Sequence, residues 1–172
     1  AGMRLPAYRV KQLFSWLHRG ARFEEMTNIS KPLREALAQN YADQPVSLLD
    51  QRVSKLDGTR KLLYALRDGN CVEGVLMHYH HGYTLCLSTQ VGCRMGCAFC
   101  ASTLNGCVRS LSAAEMLGQV HCANRLIADD HISNIVLMGS GEPLDNYDNV
   151  TRFLRLVSHP DGLNIGLRHI SL

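Results

Sequence analysis

The chain has 172 residues, an apolar fraction of 46%, few aromatics and a net charge of +3, a globular composition and not a disordered or fibrous one. No apolar run approaches a membrane span of roughly 20 residues and no signal peptide opens the chain, so no membrane partner is expected. Seven cysteines, four of them within residues 86–102, do not make the dispersed framework of a secreted disulfide scaffold, and a reducing, cytoplasmic setting is expected.

Residues 1–61 carry 11 Lys and Arg against 6 Asp and Glu, whereas residues 62–172 carry 7 against 9. A basic amino-terminal third is compatible with a polyanion partner and equally with a solvated face. Residues 8–18 place Val10, Leu13, Phe14 and Leu17 at helical spacing, with Pro6 ahead and Gly20 as a stop. Trp16 on this helix is expected in a core. Ser30-Lys31-Pro32 opens a second helix carrying Leu33 and Leu37. Together these predict a helical segment over 1–45.

From about residue 50 strands are expected. Asp57-Gly58 and Asp68-Gly69 punctuate two apolar runs, the pattern of an antiparallel hairpin, within a connector over 46–83. His80, His81 and Gly82 form the next turn, and "YTLCLST" is a third strand. His78, His80 and His81 lack metal-ligand spacing and read as surface histidines. Beyond the cysteines the rhythm is βα. Ser112 and Glu115 form a capping box for a helix with Met116, Leu117, Val120, Ala123 and Ile127 on one face. A buried strand, Ile135 to Met138, leads into "GSGEP", followed by the helix "NVTRFLRLV" and a strand in "LRHISL". This alternation predicts an α/β fold with a parallel sheet and right-handed crossovers over 84–172. Two βα units and the start of a third fall short of a barrel, so a piece of a larger protein is expected.

Cys93, Cys97 and Cys100 have the spacing C-x3-C-x2-C directly after a strand. Thiolates this close can bind different irons of one [4Fe–4S] cubane, and three ligands leave one iron open. That iron can chelate the amino and carboxylate groups of S-adenosylmethionine, whose reductive cleavage gives a 5′-deoxyadenosyl radical. Phe99, beside the last ligand, is expected to shield the cluster. A zinc site is the rival, with Cys86 or Cys107 as fourth ligand, although zinc ligands usually come as two separated pairs. The Gly139–Pro143 turn follows a strand at the end of the sheet that carries ligand sites, so its carbonyls or the Glu142 carboxylate suit the cofactor's ammonium group.

The stretches "TLCLSTQVGCRMGCAFCAS", "GSGEPLDNYDNV", "FEEMTNISKPLRE" and "DGTRKLLYALRDG" resemble the RlmN/Cfr family of radical S-adenosylmethionine RNA methyltransferases over nearly the whole chain. The resemblance implies an incomplete parallel (β/α) partial TIM barrel over 84–172, preceded by a small helical plus antiparallel β accessory domain. It also implies methylation of an adenine of 23S rRNA at C2, with tRNA as a further substrate, or at C8 in Cfr-type members. In the family a methylated cysteine is activated by the radical, adds to the base and is resolved by a second cysteine. By this likeness Cys93, Cys97 and Cys100 hold the cluster, and Gly141 and Glu142 bind the cofactor. Cys86 is the resolving cysteine and Glu73 the proton acceptor. The methyl-carrying cysteine has no counterpart here, so the 172 residues alone are expected to be inactive. Cys71, Cys107 and Cys122 match nothing functional and are expected to pack. Implied partners are rRNA, tRNA and an electron donor such as a flavodoxin, for an expected monomer. The alternative is a noncatalytic iron–sulfur or zinc-bound RNA-binding module. A different radical enzyme, such as an activase, does not share the accessory segment.

Overall fold

The computed structural model describes residues 5–127 and 130–172. The start of the basic helical segment, residues 1–4, lies outside them. Helix α1 (Ala7–His18) follows Pro6, and α2 (Lys31–Asn40) follows Ser30 with Pro32 in its first turn, where a proline loses no helical hydrogen bond. Leu13, Phe23, Met26, Ile29 and Leu37 form a small core of their own. The expected stripe on α1 is only partly buried. Leu13 is inside, Val10 and Leu17 are exposed, and Trp16 packs against the core while its indole donates to Asn28 at 2.7 Å.

Strands β1 (Val46–Val53), β2 (Arg60–Leu66), β3 (Cys71–Tyr79) and β4 (Gly82–Cys86) run antiparallel in succession, and β7 (Ile132–Val136) and β8 (Ile170–Ser171) add in parallel. The result is one sheet in the order β1-β2-β3-β4-β7-β8. The fold is therefore mixed α/β with a mostly antiparallel sheet: the parallel pairing expected over 84–172 is present in β4-β7-β8, but it continues the antiparallel strands within one sheet and closes no barrel among the described residues. The hairpin segment is not a layer apart from the βα region, because β3 pairs directly with β4. A separate ribbon pairs β5 (Gln90–Gly92) with β6 (Cys107–Ser110). Neither β1 nor this ribbon is anticipated by the periodicity. The last expected strand shrinks to Ile170–Ser171 because Leu167–His169 form a 3₁₀ turn.

Helices α3 (Ala113–Asn124) and α4 (Tyr147–Val157) cover one face of the sheet. Their Met116, Val120, Phe153 and Val157 join Leu62, Tyr64, Leu76, Leu85 and Ile135 in the main core. The capping box at α3 is realised: Glu115 N–H donates to Ser112 Oγ, and Glu115 Oε2 accepts from Ser112 N–H at 2.8 Å. The opposite face carries Leu63, Val75, Cys86 and Val136, all half-buried.

The helical segment meets this α/β body at a histidine-lined seam. Arg125 donates to the Gly20 carbonyl at 2.6 Å and to Gln44 at 3.2 Å, and Phe14 packs on His18 and His159. The His121 imidazole is pushed down to about 4 by burial and by its neighbours His18 and Arg125. Burial and His159 lower His18 as well.

Candidate functional site

The cysteine motif occupies a loop whose ends are closed by the β5–β6 ribbon. Cys93 N–H donates to the Gly106 carbonyl at 3.0 Å, at the bulge where Gly92 faces Cys107. Gly92 has φ +74°, and a Cβ there would lie 2.0 Å from the Gly106 oxygen, so only glycine fits. Within the loop, Cys100 N–H donates to the Cys97 carbonyl at 3.0 Å and Thr103 Oγ1 to the Cys100 carbonyl at 2.9 Å. Cys93 is buried, Cys100 half-buried and Cys97 exposed.

The loop thus carries all three expected ligands. It does not draw them into one group: among the described residues no three His, Cys, Asp or Glu side chains come close enough to hold a metal ion. The donor set, three free thiols on one short loop, has the chemistry of an iron–sulfur site; its geometry in this structure is open. Phe99, expected to shield a cluster, is 93% exposed. Histidines 78, 80 and 81 are exposed, as expected. Of the cysteines expected to pack, Cys122 is buried and Cys107 half-buried, but Cys71 is exposed, because it sits on the outward face at the start of β3.

The GSGEP turn lies directly beside the loop. Gly141 has φ +104° and its missing Cβ leaves room for Gln90, whose N would otherwise be 2.7 Å away. Three links join the turn and its continuation to the cysteine segment. Gln90 Oε1 accepts from Glu142 N–H at 3.0 Å, while Gln90 Nε2 donates to Asp145 at 2.9 Å and to Ser110 at 3.2 Å. Arg94, next to the first cysteine, pairs with Asp145, and this guanidinium, with Gln90, holds the Asp145 carboxyl below its usual range. Ser102 and Ser140 hydroxyls meet at 3.3 Å. Glu142 itself caps the following 3₁₀ turn, Pro143–Asn146, by accepting from Leu144 N–H at 3.0 Å.

Cys86 and Glu73 share the sheet face opposite the helices. Cys86 stands across from Val75 on β3, two residues beyond Glu73, and across from Val136 on β7. Burial pushes the Cys86 thiol up, partly offset by a hydrogen bond from the Met138 backbone. The Glu73 carboxylate is exposed and pairs with Lys61 at 2.8 Å.

Sequence reasoning missed the segment Leu87–Gln90, which joins β4 to β5 and ties the site together. Ser88 Oγ donates to the Glu73 carbonyl at 2.7 Å and accepts from Ser140 N–H at 2.9 Å. Gln119 on α3 brackets the Ser88 backbone with two bonds of 3.0 Å. Asn146 donates to the Thr89 and Leu111 carbonyls at 2.9 and 2.7 Å. The available signal was three consecutive polar residues, Ser88-Thr89-Gln90, inside an otherwise apolar stretch. Ser88 and Gln90 find partners, as buried polar side chains usually do, whereas the Thr89 hydroxyl is buried without one among the described residues.

Residues 2–42 match the family described as "Ribosomal RNA large subunit methyltransferase N-terminal domain". Over 96% of its length the chain is 52% identical to the probable dual-specificity RNA methyltransferase RlmN of Clostridium novyi and 54% identical to that of Lachnoclostridium phytofermentans. Nearly the whole chain is thus similar to RlmN methyltransferases. It spans about half the length of these RlmN relatives, 48% and 47%. Its fold matches the crystal structure of a radical SAM methyltransferase from Sphaerobacter thermophilus with a TM-score of 0.89 and 40% identity, covering 96% of this chain and 50% of that one.

Proposed function

We propose that the chain supplies the cluster-binding and part of the cofactor-binding portion of a radical S-adenosylmethionine methyltransferase that modifies adenine C2 in 23S rRNA and in tRNA. The observation that carries this reading is the junction of the cysteine loop with the GSGEP turn at the ends of β4 and β7 through Gln90, Arg94–Asp145 and Ser102–Ser140. Names of the RlmN relatives support RNA as the substrate class and more than one kind of RNA. The choice of C2 over C8 rests on the same likeness.

In this reading Cys93, Cys97 and Cys100 hold a [4Fe–4S] cluster, with the loop closing from its open geometry as the thiolates bind, since metal binding and local folding are coupled. Held by these thiolates, a cluster would supply the electron for reductive cleavage of S-adenosylmethionine. Gly141 and Glu142 present backbone and carboxylate to the cofactor's ammonium group. Cys86 remains a protonated thiol near neutral pH, suited to acting late, after a base has been engaged. Glu73 would take up a proton once released from Lys61.

Anaerobic reconstitution with iron and sulfide tests the reading. About four irons and four sulfides per chain are expected, lost on Cys97→Ala. One tightly held zinc per chain and no sulfide would sink it in favour of a zinc-bound module.

A further inference from the structure

Gln90 is 1% exposed and uses both ends of its amide across the gap between the cysteine ribbon and the GSGEP turn. It sits three residues before Cys93 on β5. Its oxygen holds the Glu142 N–H, and its nitrogen holds Asp145 and Ser110. Its backbone N–H is held in turn by the Ser140 carbonyl at 3.1 Å. Gly141 is shaped around its side chain, because any Cβ at 141 would fall 2.6 Å from Gln90 Cβ. No other side chain bonds both strand β6 of the cysteine ribbon and the Glu142 backbone among the described hydrogen bonds.

We propose that Gln90 is a positioning residue that sets the Gly141–Glu142 backbone in register with the cysteine loop, so that the cofactor's ammonium group and the open iron are met together. This rests on the reading of the site as a cluster and S-adenosylmethionine pocket. The role follows from geometry: the two halves of the pocket come from segments about 50 positions apart, and a cofactor spanning both is bound only as well as their spacing is fixed. Asp145 shares the task from the other side, taking Gln90 and Arg94 on its two oxygens.

Two variants separate positioning from bulk stability. Gln90→Met keeps the volume and removes all three side-chain hydrogen bonds. Gln90→Glu keeps the acceptor for Glu142 N–H and loses the donor to Asp145. In the chain without cofactor, amide hydrogen exchange is expected to quicken about ten-fold at Glu142 in Gln90→Met, the cost of one buried hydrogen bond. Exchange at Leu85 and Ile135 should stay near wild type, and Gln90→Glu should retain protection at Glu142. In the reconstituted protein, the S-adenosylmethionine concentration that half-saturates the change in the reduced-cluster EPR signal should rise about ten-fold for Gln90→Met. It should rise less for Gln90→Glu, with cluster content unchanged in both. Unchanged exchange at Glu142, or a loss of protection spread evenly over the core, overturns the positioning role whatever the cofactor does. Selective loss at Glu142 with unaltered cofactor response overturns its link to the cofactor. A wild-type chain that holds a cluster and ignores S-adenosylmethionine overturns the functional reading instead, with the exchange result still deciding what Gln90 does.

Discussion

Cys86 and Cys97 stand eleven positions apart in very different environments. Cys97 stands exposed on the loop, whereas Cys86 is half-buried at the end of β4 with its thiol pushed up by burial. Alkylation follows the thiolate and its access. Under native conditions near pH 7.5, Cys71 and Cys97 are expected to react first with iodoacetamide, Cys86 to lag, and Cys93 and Cys122 to react last. Peptide mass spectrometry over a time course reads the order; labelling of Cys86 in step with Cys97 would contradict it. Glu73 makes a second residue-scale prediction. Its pair with Lys61 is exposed, and such pairs contribute about 0–1 kcal/mol, so Glu73→Gln should leave the urea midpoint nearly unchanged. At this scale the C-x3-C-x2-C spacing singled out the three cysteines, whereas the role given to Gly141 and Glu142 came from the family resemblance. Gln90, Ser88 and Asn146 were not legible, because their meaning lies in partners from β6, the GSGEP turn and the Thr89 and Leu111 carbonyls, distant in sequence.

Among the elements, those with local signals were readable and those held by pairing were not. Pro6 and the Ser112–Glu115 box mark real helix starts, and Asp-Gly turns mark the real ends of β2. Strand β1 shows no alternation because it is an edge strand, mostly exposed after Val46. The ribbon β5–β6 is too short to leave a period, yet it fixes the base of the cysteine loop. Gly92 is its critical residue. Gly92→Ala forces a Cβ onto the Gly106 carbonyl at a positive φ and should cost about 1–3 kcal/mol, with reduced iron uptake on reconstitution. Urea unfolding and iron analysis check both; wild-type stability together with full iron content would show that the ribbon does not position the loop.

For the whole molecule, the sequence separated a helical segment, a hairpin and a βα region, but not the way β3 joins β4 to make one sheet of them, which depends on pairing without a local signature. Nor did it show the histidine seam between the helical segment and the α/β body. His121 is held neutral in the folded protein down to about 4, whereas an unfolded histidine titrates near 6.5. Between these values the unfolded chain binds the extra proton, so stability is intact above about 6.5 and falls as the pH drops toward 4, by on the order of 2–3 kcal/mol. Chemical unfolding at pH 7.5 and 4.5 measures this, and His121→Gln should flatten the dependence. An unchanged slope in that variant would place the acid sensitivity elsewhere.

In the proposed reading the loop of Cys93, Cys97 and Cys100 and the turn of Gly141 and Glu142 form two sides of one pocket for a [4Fe–4S] cluster and S-adenosylmethionine. EPR of the anaerobically reconstituted, dithionite-reduced chain, recorded with and without S-adenosylmethionine, tests it most directly. A [4Fe–4S]⁺ signal that changes shape on adding the cofactor, and does so less in Glu142→Ala, is the predicted result. A cluster signal indifferent to the cofactor would contradict it, and so would a chain that takes up no cluster.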